Sequence, residues 1–145
     1  MLKKSIIFLV ATLIAIQFIS LDKTNPKVDE NLTLHTDAKV MKILKKSCYD
    51  CHSYETKWSI YSDIAPLSFG VVSHVNDGRQ ALNFSTYKNI DQEIKDKRFQ
   101  RAVVLIKNER MPVSNYLAFH EEARMTPEEK KILIDWFEKE SKEKK

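Results

Sequence analysis

Apolar positions along this chain recur mostly with helical spacing, and strand-like alternation is scarce. Three stretches place apolar side chains three and four positions apart, which is the spacing of one helix face. They predict helices over about 37–51, 90–109 and 126–137. A shorter helix is expected over about 67–75, because Asn76-Asp77-Gly78 is a turn signal. The pattern predicts an all-α domain.

Two of these helices also carry signals at their ends. Thr36 or Asp37 can cap the first helix, and its apolar stripe runs on into two cysteines. The last helix begins with Thr126, Pro127 and, at the third helical position, Glu129. A threonine cap, a first-position proline and a third-position glutamate together favour a helix start.

The first 21 residues have the pattern of an export signal. Lys3 and Lys4 precede an apolar run over 6–19, and a polar segment follows it. Counted over 5–21, the run reaches the lower edge of the roughly 17 to 25 residues that span a membrane. We therefore predict an uncleaved N-terminal anchor helix in the cytoplasmic membrane, with a cleaved signal peptide as the alternative. Both place the remainder outside the cytoplasm.

The rest of the chain divides into a linker and one domain. Residues 22–34 include Pro26 and many charges without periodicity, and they predict a tether; residues 35–145 predict a single domain. The formal net charge is +4, and without the two leader lysines 22 basic and 20 acidic residues leave +2. That balance is too mild to indicate a nucleic-acid partner.

The candidate chemistry is concentrated in Cys48-Tyr49-Asp50-Cys51-His52, which contains both cysteines of the chain. C-x-x-C-H is the attachment pattern of a c-type haem. Cysteines three positions apart share one helix face, so both thiols can reach the vinyl groups on one porphyrin edge, while His52 can reach the iron.

Three other interpretations of the motif are open. A dithiol redox centre usually occurs in a βαβ setting, whereas this region is predicted to be helical. A closed zinc site needs four ligands, so His74 or His120 would have to complete it. An unliganded cysteine pair or a disulfide is the third, although a disulfide across two residues is strained in a helix.

The order of these parts resembles class I cytochromes c, and the chain is more closely similar to a small bacterial haem-binding domain family with a C-x-x-C-H motif. The similarity covers about residues 37–137. The shared residues are the motif with Ser53, then Glu55-Thr56, Trp58, Tyr61, Ile64-Ala65-Pro66, Asn83-Phe84-Ser85, Met111-Pro112, Tyr116, His120, Ala123-Arg124 and Asp135-Trp136. Lys57 stands where that family usually has an arginine, and Ile60 where it has an aromatic residue.

The resemblance implies a cytochrome c-like helical domain around one haem and a set of ligands. His52 is the predicted proximal iron ligand. The carbonyl of Pro66 is the candidate acceptor of a hydrogen bond from His52. The alternative, that Pro66 is an ordinary loop proline without this role, is equally open. Met111 is the predicted sixth ligand and His120 its alternative, and an open sixth site is also possible. Trp58 is expected to line the haem or to be ordinary core.

These residues predict a membrane-tethered mono-haem electron-transfer cytochrome, with one haem c attached through Cys48 and Cys51. Its partners would be other redox proteins, and its location periplasmic or otherwise extracytoplasmic. A haem sensor or small peroxidase-like protein with an open distal site is the alternative. The sequence contains no evident Ser/His/Asp set, phosphate-binding glycine loop or carboxylate pair, which favours an electron carrier over an enzyme.

Overall fold

The computed structural model describes residues 2–142, and within them every regular element is helical, as predicted. The α-helices are α1 (Leu2–Ala15), α2 (Ala38–Ser47), α3 (Tyr49–His52), α4 (Leu67–Ala81), α5 (Gln92–Lys107), α6 (Ser114–Leu117) and α7 (Pro127–Lys142). Single 3-10 turns lie between them at Ile16–Phe18, Ile60–Asp63, Phe84–Asn89 and Glu121–Ala123.

Helix α1 is exposed along its whole length. None of the helices formed by residues 2–142 has both the length and the apolar character needed to cross a membrane. The predicted anchor helix is thus not confirmed. Directly after α1, the Gln17 side-chain amide bonds both backbone groups of Ala65, the N–H and the carbonyl, each at 3.0 Å. This pair of hydrogen bonds ties the end of the N-terminal segment to the domain.

The segment predicted as a tether ends inside the core. The Asn25 amide donates to the Thr56 carbonyl at 2.8 Å, so the segment is held against the domain. Leu34 is only 3% exposed, and its N–H donates to the Phe84 carbonyl at 2.9 Å. The core therefore extends into residues 22–34. The sequence pattern missed this because two neighbouring buried residues, Thr33 and Leu34, have no periodicity.

Helix α2 leads directly into the cysteine motif. Its start is capped as predicted, because the Asp37 carboxylate accepts from the N–H groups of Lys39 and Val40 at 2.9 and 3.0 Å. The buried Val40 and Leu44 attach one face of α2 to the core. The helix ends at Ser47, and the short helix α3 follows after Cys48. The predicted helix over 37–51 is thus two helical pieces with Cys48 at their junction.

Helices α5 and α7 form the main core, and α2 packs against α7. The Phe99 ring of α5 meets the Phe137 ring of α7 edge to face at 4.9 Å between centroids, and Leu133 is fully buried. The predicted capping box is present, because Thr126 and Glu129 each accept a hydrogen bond from the other's N–H. This core supports α2 and the motif that follows it.

Helix α4 is longer than predicted. The sequence places its end before Asn76-Asp77-Gly78, but the helix continues to Ala81 and includes all three residues, so the turn prediction is wrong. Gly78 is buried against the backbone of Cys51. Tertiary packing of this glycine outweighs its low helix propensity.

Candidate functional site

The cysteine motif is packed directly on α4. The N–H groups of Cys51 and His52 donate to the Cys48 carbonyl at 3.2 and 2.9 Å, which closes the motif into a helical turn. On α4, a Cβ atom added at Gly78 would lie 2.4 Å from the Cys51 carbonyl oxygen. Only glycine permits this close approach of α3 to α4, so position 78 determines where the motif lies.

His52 is held in one tautomer by the end of α4. Its Nδ1 lies 2.9 Å from the carbonyl oxygen of Leu82. Because a carbonyl only accepts hydrogen bonds, Nδ1 carries the proton and Nε2 has a lone pair. Burial lowers the pKa of His52, and the carbonyls of Leu82 and Gly78 oppose that shift. A neutral imidazole with its second nitrogen on a backbone carbonyl is the usual form of a metal-binding histidine.

The carbonyl that orients His52 was predicted to belong to Pro66, and this was wrong. Leu82 has the role because α4 continues to Ala81 and brings the next residue over the motif. Pro66 lies at the other end of α4, where it lines a cavity. The Pro66 assignment came from the resemblance to class I cytochromes c, and the sequence carried no local signal for Leu82.

Both motif thiols are free and protonated at neutral pH. Burial raises the pKa of Cys48 to about 12, with a smaller contribution from Cys51. Burial also raises the pKa of Cys51 to about 11, and the Asp50 carboxylate adds to the shift. Among residues 2–142 no three side chains of His, Cys, Asp or Glu are grouped as a metal site. The zinc interpretation therefore has no support there.

A cavity of about 280 Å³ opens beside Cys51. Its walls come from α4, from the segment 56–61 and from the segment 113–119, and most of the lining side chains are aromatic or aliphatic. Three predicted site residues line it: Cys51, Trp58 and Pro66. Four others lie outside the wall: Cys48, His52, Met111 and His120.

Trp58, which also lines this cavity, has a buried donor without a partner among residues 2–142. Its indole Nε1 is buried, and no hydrogen-bond acceptor lies within reach of it in the described part of the chain. A buried unsatisfied donor costs about 1 to 3 kcal/mol. Lys57, the neighbouring residue, also lines the cavity and brings a positive charge. The wall at these two residues is suited to an anionic group.

Asp50, inside the motif, connects it to two loops. One carboxylate oxygen accepts from the Tyr116 hydroxyl at 2.6 Å and the other from the Lys57 N–H at 3.1 Å. Burial and the bond to Asp50 raise the pKa of Tyr116, so its hydroxyl remains a donor. Sequence analysis missed this role because the two middle positions of C-x-x-C-H carry no signal of their own.

The two candidates for the sixth ligand lie elsewhere. His120 is engaged at both ring nitrogens: Nε2 is 2.6 Å from the Tyr61 hydroxyl and Nδ1 is 3.0 Å from a Glu122 carboxylate oxygen. Met111 is half-buried and packs against the hydrophobic core. The assignment of Met111 as a ligand stays a prediction.

Arg79 connects the motif to its neighbouring segments. It donates to the Ser53 carbonyl at 2.9 Å, just after the motif, and to the Thr24 carbonyl and the Asn25 side chain at 2.9 and 2.7 Å. Its guanidinium also lies over the Tyr54 ring, 5.4 Å from the centroid. These contacts join α4, the motif and the N-terminal segment, and they occupy the Arg79 guanidinium with partners inside the protein.

Comparison with known proteins gives one family. The sequence profile of a haem-binding domain family matches residues 11–139, which is most of the chain. No curated protein and no solved structure matches significantly, so the likeness to class I cytochromes c stays a prediction. The matched range includes the motif, the cavity, helices α2 to α6 and most of α7. The chain therefore belongs to the haem-binding domain family.

Proposed function

We propose that this protein carries one haem attached covalently to Cys48 and Cys51 and that it transfers single electrons. The observation that carries the proposal is the setting of the C-x-x-C-H motif. Cys51 lies at the wall of an apolar cavity, and the His52 imidazole is neutral, with Nδ1 bonded to the Leu82 carbonyl and Nε2 available as a ligand.

The residues around the cavity fit a haem. Aromatic and aliphatic side chains supply the apolar surface that a porphyrin needs, and Tyr116 and Phe119 are among them. The buried Nε1 of Trp58 and the ammonium of Lys57 are suited to the propionates, which are anions and hydrogen-bond acceptors. The cavity thus has the two surfaces, apolar and anion-binding, that this amphipathic group requires.

The thiols supply the covalent attachment. Each S–H adds across a vinyl double bond, so that sulfur bonds one carbon and hydrogen the other, and no oxidant is consumed. When bound, the haem supplies a reversible one-electron change at its iron. Cys48 and Cys51 hold it, and His52 donates its Nε2 lone pair to the metal. The Leu82 carbonyl orients His52 and increases its basicity as a ligand.

We favour electron transfer over catalysis because the sequence contains no evident Ser/His/Asp set, phosphate-binding glycine loop or carboxylate pair. The partners would be redox proteins that exchange electrons through the exposed haem edge. A haem sensor or a peroxidase-like protein with an open distal site is the second candidate, since neither Met111 nor His120 lines the cavity. Binding of carbon monoxide to the ferrous protein separates the two, because a filled sixth position resists it.

The proposal places the domain outside the cytoplasm. The lysines at the start and the apolar run over 6–19 form an export signal, and residues 5–21 are proposed to associate with the cytoplasmic membrane. The decisive experiment expresses the full chain with a cytochrome c maturation system and stains a denaturing gel for haem. We expect haem to remain on the wild type and to be lost in the Cys48→Ser/Cys51→Ser variant. A wild type without covalent haem contradicts the proposal.

A further inference from the structure

His74 lies on the wall of the cavity that Cys51 also lines. Within residues 2–142 it is the only histidine or methionine to do so. Histidine and methionine are the usual side chains that fill the sixth position of a six-coordinate haem c. His74 therefore shares the cavity with one haem-attachment residue, Cys51, whereas neither of the two candidates suggested by the sequence lines it.

His74 is exposed, and it lies on the face of α4 that meets the motif. Gly70, His74 and Gly78 are spaced by four residues and so share one face of the helix. Gly78 on that face would clash with the backbone of Cys51 if it carried a Cβ atom, and His74 lies about one turn away, roughly 6 Å along the axis. One turn further, a Cβ atom at Gly70 would have no neighbour within 4 Å. The face thus runs from the motif past His74 into open space.

The ring of His74 is held in the same tautomer as that of His52. Its Nδ1 lies 2.7 Å from the Gly70 carbonyl oxygen, so Nδ1 carries the proton and Nε2 has the lone pair. No hydrogen bond occupies Nε2 within the described residues. Both nitrogens of His120, in contrast, already have side-chain partners.

We propose that His74 is the second axial ligand of the iron, in place of Met111. This inference rests on the proposed function, because it requires a haem attached at Cys48 and Cys51. The protein would then be a bis-histidine cytochrome in which α4 both orients His52, through the Leu82 carbonyl, and supplies the second histidine.

The test compares spectra of the loaded full-length protein and three variants. We expect wild type to have a low-spin ferric spectrum without the iron–sulfur charge-transfer band of methionine ligation. His74→Ala should lose the low-spin spectrum, bind carbon monoxide when reduced, and recover the low-spin spectrum when imidazole is added. Met111→Ala should retain the wild-type spectrum. His35→Ala is the control, since His35 bonds the Glu30 carbonyl and does not line the cavity.

Each result decides the question. A low-spin spectrum that persists in His74→Ala overturns the proposal, whether or not Met111→Ala loses it, and leaves the covalent haem intact. If His74→Ala does not fold, His74→Met takes its place, and a new iron–sulfur band in that variant supports ligation from position 74, whereas an unchanged spectrum excludes it. A wild type without haem on a denaturing gel refutes the proposed function and this inference together.

Discussion

The contact between Gly78 and Cys51 permits a sharp test of how the motif is positioned. In Gly78→Ala the new Cβ would lie 2.4 Å from the Cys51 carbonyl oxygen, 3.0 Å from its carbonyl carbon and 3.1 Å from its Cβ. All three belong to rigid parts of the motif and not to the end of a flexible side chain. Since ordinary contact begins near 3.4 Å, α3 and α4 must separate by about 1 Å.

The expected magnitude follows from two opposing effects. Overpacking of a core typically costs about 1 to 3 kcal/mol, and three contacts to fixed atoms place Gly78→Ala at the upper end. Alanine favours a helix interior over glycine by about 1 kcal/mol. The free energy of unfolding should therefore fall by about 2 kcal/mol. The same displacement moves the Leu82 carbonyl, so the 2.9 Å bond to His52 should weaken as well.

Gly70→Ala is the matched control for this variant. Gly70 lies on the same helix, and a Cβ atom there would meet nothing within 4 Å, so the helix propensity acts alone and stability should rise by about 1 kcal/mol. Urea unfolding of both unloaded variants, followed by circular dichroism, measures the difference. If Gly78→Ala were as stable as Gly70→Ala, the close approach of α3 to α4 would be refuted.

Three further predictions concern the cavity and the motif. Trp58→Phe removes the unpaired indole N–H. In urea unfolding, the unloaded variant should be as stable as the wild type or about 1 kcal/mol more stable. In voltammetry, the reduction potential of the loaded variant should differ from that of the wild type, and an unchanged potential argues against a propionate contact. Tyr116→Phe removes the 2.6 Å hydrogen bond to Asp50. The free energy of unfolding, measured in urea, should fall by about 1.5 to 3 kcal/mol. An unchanged free energy of unfolding would contradict that hydrogen bond. Because the pKa of Cys48 is about 12 and that of Cys51 about 11, iodoacetamide at pH 8 should alkylate the unloaded folded protein at least about 50-fold more slowly than the urea-unfolded chain. Equal rates would contradict the raised pKa values of the two thiols.

Local sequence signals predicted the elements whose ends depend on neighbouring residues. The Asp37 cap and the capping box of Thr126 and Glu129 need only side chains two or three positions away, and these were predicted correctly. The C-x-x-C-H motif could also be recognised in the sequence, because its residues lie within about one helical turn. The family match over residues 11–139 confirms the haem-binding part of that interpretation.

Contacts between distant residues were not predictable in this way. The continuation of α4 to Ala81 depends on Gly78 meeting Cys51, which lies 27 positions earlier in the chain. The burial of Leu34 depends on its bond to Phe84. Neither contact produces a periodic pattern, so the turn signal and the charged tether composition dominated the sequence interpretation. The carbonyl partner of His52 was assigned to Pro66 from the resemblance to class I cytochromes c, whereas the carbonyl that His52 meets is that of Leu82, directly after α4.

Helix α4 explains why these errors occurred together. One helix provides the glycine that receives Cys51, the end from which the Leu82 carbonyl reaches His52, and the cavity face with His74. If the helix ended at residue 75, as the turn signal indicates, the first two contacts would be lost. The Asn76-Asp77-Gly78 segment is therefore best understood as helix surface around one close-packed glycine. A glycine that resembles a turn signal in the sequence is, in the folded chain, the point at which the motif is positioned against the cavity.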